Sequence, residues 1–152
     1  MLKRIIHALF WKIFRIMSFI PRKKYGMVSA ELKSEPKAPF LLLANHNHYN
    51  DGFFVGYFVK APVAFLSTDE VPALTLIGSK FFRCILTEKG TPDFNAVKKM
   101  KNLIDRNISV GIFPEGDRTW DGESAVLNPN ISKMVRLFNV PGRIKREFQF
   151  SL

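Results

Sequence analysis

Two short segments hold the residue types that acid–base and anion chemistry require. In the first, Asn45-His46-Asn47-His48-Tyr49-Asn50-Asp51, an imidazole and a carboxylate stand five residues apart. On a regular helix that spacing separates two side chains by about 140°, so His46 and Asp51 can meet only across a turn. Asn45, Asn47, Asn50 and Gly52 are turn formers, and a helix beginning near Asp51 lets its carboxylate approach the ring as the chain reverses. A carboxylate held against an imidazole fixes its tautomer and stabilises the imidazolium formed on proton uptake, which makes the pair a general base. The second segment, Pro114-Glu115-Gly116-Asp117-Arg118, places an acceptor and a guanidinium on either side of a glycine whose backbone admits close approach, and a guanidinium suits a phosphate. The bland alternative for this segment is a solvated turn with a salt bridge.

Other chemistries have less material. His46-x-His48 with Asp51 has metal-ligand spacing, but His7 is the only further histidine and lies in a basic segment, so no metal is expected. His48 reads as a loop residue. The single cysteine, Cys84, excludes an internal disulfide framework and a thiolate cage; its setting, Phe81-Phe82-Arg83-Cys84-Ile85-Leu86, reads as a buried thiol rather than a nucleophile.

Both segments directly follow an apolar run of the kind found in fully buried strands, residues 40–44 (FLLLA) and 108–113 (ISVGIF). Residues 63–67 and 82–87 read as two more strands. Residues 52–60 read as a helix, and residues 93–106 as an amphipathic helix with Phe94, Val97, Met100, Leu103 and Ile104 on one side. This alternation predicts an α/β fold with a largely parallel sheet flanked by helices. In such a sheet the loops that follow strands share one edge, where ligands bind, so the two segments are expected to face one another.

With 152 residues, 47% of them hydrophobic, the chain has material for one core and one domain. Its net charge of +10 implies a polyanionic partner, and fifteen Phe lean toward lipid. Residues 1–24 hold seven basic residues and no acid, so most of the excess charge belongs to one greasy segment rather than to a folded basic face, and nucleic acid is not expected as a partner. Placed on a helix over residues 2–20, Lys3, Arg4, His7, Lys12, Arg15 and Ser18 share one half, opposite Leu2, Ile5, Ile6, Leu9, Ile13, Ile16 and Ile20. Such a helix is long enough to span a bilayer, but Lys12 at the centre would cost about 2.5–3.5 kcal/mol. Lying in the plane of a membrane, it buries the isoleucine face, keeps the charges solvated and sets Trp11 at headgroup level. A cleaved signal is not expected, because Lys12 and Arg15 interrupt the apolar stretch and no small-residue cleavage site follows. The alternative is that this helix caps the protein's own core. Pro21 ends it, and Arg22, Lys23 and Lys24 form a linker.

Taken together, His46-x4-Asp51 and Phe113-Pro114-Glu115-Gly116-Asp117-Arg118 resemble the glycerolipid acyltransferases of the 1-acylglycerol-3-phosphate (lysophosphatidate) acyltransferase family. The second run matches at five positions, which chance supplies in a chain this long with odds on the order of one in ten thousand or fewer. The resemblance covers residues 25–141, and the basic amphipathic segment 1–24 resembles the family's membrane anchor, placing the protein on the cytoplasmic face of a membrane. It implies transfer of an acyl chain from acyl-CoA or acyl-carrier protein to the hydroxyl of a lysophospholipid, with no cofactor. By this resemblance His46 is the base and Asp51 its orienting partner, nearby backbone N–H groups support the oxyanion, and Glu115, Gly116 and Arg118 hold the acceptor. Lys89, in Ile85-Leu86-Thr87-Glu88-Lys89-Gly90, stands where the family often has a phosphate-binding Arg, keeping the charge without the bidentate fork. Asp117 stands where a small hydroxyl residue is usual. The family's last motif is an apolar strand rich in Val and Pro. Here Val140-Pro141 begins it before Gly142-Arg143-Ile144-Lys145-Arg146 turns polar, so that strand is expected to be missing, the domain incomplete, and residues 142–152 a divergent polar tail. The alternative to an active enzyme is then an inactive, truncated acyltransferase-like protein of the membrane surface.

Overall fold

A run of four apolar residues can be buried on both faces only inside a sheet covered on both sides. The computed structural model, which describes residues 2–17, 37–46, 51, 59–68, 81–87, 93–116, 130–140 and 142–145, has such a sheet. Its strands are β1 (Leu41–Ala44), β2 (Val63–Thr68), β3 (Ile85–Thr87), β4 (Ser109–Ile112) and β5 (Gly142–Lys145), all parallel, in the order β3-β2-β4-β1-β5. The helices are α1 (Leu2–Met17), α2 (Phe94–Asp105) and α3 (Ile131–Phe138). Every residue of β1 and β4 is buried. Side chains alternate across the sheet: Leu42 and Ala44 join Phe40, Val63 and Phe65 on one face, while Leu41 and Leu43 join Val110 and Ile112 on the other. The first face packs under Trp11, Val59 and Phe82; the second under Ala96, Met100 and Ile104 of α2 and Phe138 of α3.

The two central strands lie close. A Cβ on Gly111 of β4 would stand 2.5 Å from the Phe65 ring, so only glycine lets that ring lie flat over the strand. Asp93 caps α2, its carboxylate accepting from the Ala96 N–H at 3.0 Å.

Four expectations are corrected here. The strand expected to be missing is present: Gly142–Lys145 pairs in parallel with β1, Leu42 opposite Arg143, so these residues belong to the sheet rather than to a tail. Ladder pairing engages backbone groups, and an edge strand tolerates charged side chains, so the polar sequence hid it. Phe94, assigned to the buried side of its helix, is 83% exposed, because Ala96, one turn before Met100, is the residue that faces the sheet. Val59 and Lys60, read as helical, are not in a helix. Finally, α1 does cap the core, through the half that was assigned to solvent. His7 is 2% and Trp11 1% exposed, whereas Leu2, Ile5, Ile6, Leu9, Ile13 and Ile16 are all exposed.

That helix has two apolar sides, one aromatic and one aliphatic, and periodicity alone does not rank them. The aromatic side wins the sheet because its rings interlock with others: Phe10 stacks on Phe81 at 4.8 Å, Phe14 meets Phe82 edge-on at 5.1 Å, and the Trp11 indole N–H donates to the Val59 carbonyl at 3.1 Å. His7 shares the inner stripe with Trp11 and is buried with it. Burial, with the Arg83 charge adding to it, lowers its pKa to about 4, against a hydrogen bond to the Val63 backbone. Among the described residues no helix is long and apolar enough to cross a membrane.

Truncating Trp11→Ala is expected to cost about 3–5 kcal/mol in urea unfolding, whereas Leu9→Ser on the outer side stays within about 0.5 kcal/mol. The folded state keeps His7 neutral to about pH 4, while the unfolded chain protonates it near 6.5. Unfolding therefore takes up a proton in that window: stability is complete above about pH 6.5 and falls as the pH drops toward 4, by up to roughly 3 kcal/mol. Urea midpoints of His7→Leu compared with the parent near pH 7 and near pH 5 should show this dependence reduced in the variant.

Candidate active site

Neighbouring parallel strands end on the same edge about 4.8 Å apart, so residues equally far past a paired position arrive side by side. Leu43 of β1 is registered with Ile112 of β4, and three residues beyond each lie His46 and Glu115. The two loops meet as expected. The His46 backbone N–H donates to Glu115 Oε2 at 3.0 Å, a contact spanning 69 residues of sequence.

Phe113-Pro114-Glu115-Gly116 forms a tight turn in which the Gly116 N–H donates to the Phe113 carbonyl at 3.2 Å. Proline presets the second position of such a turn. Gly116 has φ +75°, a left-handed backbone, with open space where a Cβ would stand, so glycine is required by conformation rather than by crowding.

His46 Nδ1–H donates to Asp51 Oδ2 at 3.0 Å. The carboxylate is 2% exposed and the imidazole partly open, a buried orienting group behind a ring that reaches solvent. With the proton on Nδ1, the neutral ring keeps its lone pair on Nε2, the nitrogen that takes up a proton. Asp51 lies in helical backbone, as expected for a carboxylate brought back by the chain reversal.

A second support for the ring was not read from the sequence. The Phe113 ring lies against His46, centroids 4.3 Å apart and planes 20° from parallel, and Phe65 stacks behind Phe113 at 6.0 Å and 16°. An aromatic face favours positive charge, so the stack supports the imidazolium that proton uptake creates. The only available sequence signal was Phe113 as part of the motif itself. Asn45, read as a turn former, has its amide oxygen buried one residue from the imidazole, with no hydrogen-bond partner among the described residues.

Other expected site residues stand differently. Glu115 and Gly116 are at the edge, but one Glu115 oxygen holds the His46 loop and the Gly116 N–H closes its own turn. The backbone N–H groups of His46 and Gly116 are therefore both engaged. Arg118, Lys89, Asp117 and His48 lie outside the described residues. Among the described residues no group of three His, Cys, Asp or Glu is placed to hold a metal. Cys84, expected to be buried, is only partly so; the desolvation it does undergo pushes its pKa up to about 11, which keeps the thiol protonated.

In comparisons with known proteins, residues 25–142 match the family model described as Acyltransferase. No curated protein sequence matches the chain. Among solved structures, the fold is similar to the crystal structure of the 1-acyl-sn-glycerophosphate (LPA) acyltransferase PlsC from Thermotoga maritima, with a TM-score of 0.71 over 87% of this chain at 18% identity. The chain spans 55% of the length of that protein.

Amide exchange tests the clasp. The His46 amide is expected to exchange slowly in the parent and much faster in Glu115→Ala, while the Leu42 amide, inside β1, stays protected in both.

Proposed function

The chain belongs to the Acyltransferase family, and we propose on that premise that it transfers a fatty acyl chain from a thioester, acyl-CoA or acyl-carrier protein, to the free hydroxyl of a lysophospholipid such as 1-acylglycerol-3-phosphate. The observation that carries the reading is the 3.0 Å hydrogen bond from His46 Nδ1 to the buried Asp51 carboxylate, which leaves Nε2 as the base.

In the proposed reaction His46 Nε2 takes the acceptor's hydroxyl proton as the oxygen attacks the thioester carbonyl. Asp51 and the face of Phe113 stabilise the imidazolium so formed. The tetrahedral intermediate collapses by breaking the C–S bond, and the imidazolium returns its proton to the departing thiolate, leaving His46 neutral and the ester formed. The chemistry needs no covalent enzyme intermediate. Because the His46 and Gly116 amides are engaged, the oxyanion takes its donors from elsewhere in the loops. Arg118 and Lys89 supply cations for the acceptor phosphate, and Glu115 contributes by holding the His46 loop against β4.

We place the reaction at the cytoplasmic face of a membrane. The exposed aliphatic side of α1 supports this, since it sets six large apolar side chains in solvent on a helix whose other side is locked to the sheet.

Thiol release from acyl-CoA and from acyl-carrier protein, with and without lysophosphatidate, tests the reading. Acceptor-dependent release is expected, reduced by about 10²–10⁴-fold in His46→Ala and in Asp51→Asn. Absence of release from folded protein, with either donor, would mark an inactive member of the family.

A further inference from the structure

The support behind the His46 ring continues into the core. Phe65 of β2 is paired in register with Gly111 of β4, and Phe113 follows Gly111 by two residues, so both phenyl rings belong to the same face of the sheet. His46, Phe113 and Phe65 form a column: centroids 4.3 Å apart at 20° for the first pair, 6.0 Å at 16° for the second. Near-parallel rings at such separations attract one another.

Two small residues make room for the column. Ala44 and Phe113 each stand one residue past the registered pair Leu43 and Ile112, so the side chain beside the Phe113 ring is a methyl group. At Gly111 there is none. A Cβ there would meet Phe65 at 2.5 Å from Cε1 and 2.7 Å from Cδ1, so the phenyl ring fills the place that a side chain at position 111 would take. The ring is held there among Leu42, Val59 and Val63, and Phe65 is only 6% exposed.

Asp51 fixes one atom of the imidazole, Nδ1, and a single hydrogen bond leaves the ring free to turn about its own line. A flat surface against the ring removes that freedom. Phe113 offers the surface but is itself partly exposed at the end of its strand, so its plane is fixed only if something holds it from behind. Phe65 stands in that place and is locked in the core.

We propose that Phe65 is a positioning residue for His46: acting through Phe113 it sets the plane of the imidazole, and the absent side chain at Gly111 is what lets it do so. That this plane is the one used in catalysis rests on the acyl-transfer reading of His46 as the base; the setting of the ring does not.

Proton NMR of the His46 ring in the full chain, assigned by comparison with His46→Ala, reads the column without substrate. A proton over an aromatic face resonates upfield, so the carbon-bound protons of the His46 ring are expected upfield of those of a free histidine. Phe65→Leu removes the backing ring, Gly111→Ala turns it, and Ile104→Val, a mild truncation in the core on the opposite face, controls for lost packing as such. The upfield displacement is expected to shrink in Phe65→Leu and in Gly111→Ala and to stay at the parent value in Ile104→Val. Thiol release by Phe65→Leu is then expected to show kcat reduced about tenfold or more with KM little changed, while Ile104→Val keeps the parent rate. Should Phe65→Leu fail to fold, Phe65→Met, whose longer flexible chain fills the space of the ring, takes its place. If the parent transfers no acyl group but the shifts change as expected, the acyl-transfer reading fails and the setting of His46 by Phe65 stands. His46 signals unmoved in Phe65→Leu, or moved equally in Ile104→Val, would overturn the proposal, and so would a folded Phe65→Leu that keeps the parent kcat.

Discussion

The parallel pairing of β1 with β4 is the constraint on which the remaining geometry depends. Leu41, Leu42 and Leu43 oppose Val110, Gly111 and Ile112, and burial on both faces leaves this register no freedom. A slip of one residue would turn Leu41 and Leu43 to the face now filled by Phe65 and Val63, and would carry Glu115 out of reach of the His46 amide. The hydrophobic core therefore sets the position of the loop that carries His46. Gly111 contributes by omission: with no Cβ it admits Phe65, Phe65 backs Phe113, and Phe113 lies against the imidazole. Packing in the centre of the sheet is linked to the orientation of one ring at its edge.

The helix α1 adds a second relation between core and surface. Its aromatic side is fastened by Trp11, Phe10 and Phe14, and this leaves the aliphatic side outward as a rigid feature of the domain rather than of a tethered peptide. A membrane met by that side would hold the domain in one orientation. The buried His7 in the fastening gives the attachment a dependence on acid, because its neutral form is the one that packs.

Much of the site was legible from residue types. His46-x4-Asp51 needed a reversal to bring its partners together, the asparagines and Gly52 offered one, and the hydrogen bond is present. The strands carrying both loops were legible because continuous apolar runs of four or five residues have few other uses. The fifth strand was not, since Gly142–Lys145 contributes through backbone groups that every residue possesses. The side of α1 that faces the sheet was also not legible: aliphatic and aromatic stripes look equally apolar in a periodicity, and the decision belongs to the shape of Phe81 and Phe82 opposite.

Alone, the sequence determined the alternation of strands and helices, the two motif-bearing loops and the concentration of charge near the start of the chain, because these follow from local composition and spacing. Tertiary structure decided the strand order, the Glu115 clasp on His46, the ring stack and the side of α1 that faces the sheet. Each of these joins residues far apart in the chain, and the free energy that selects it comes from burial and hydrogen bonds between surfaces that exist only once the sheet has formed.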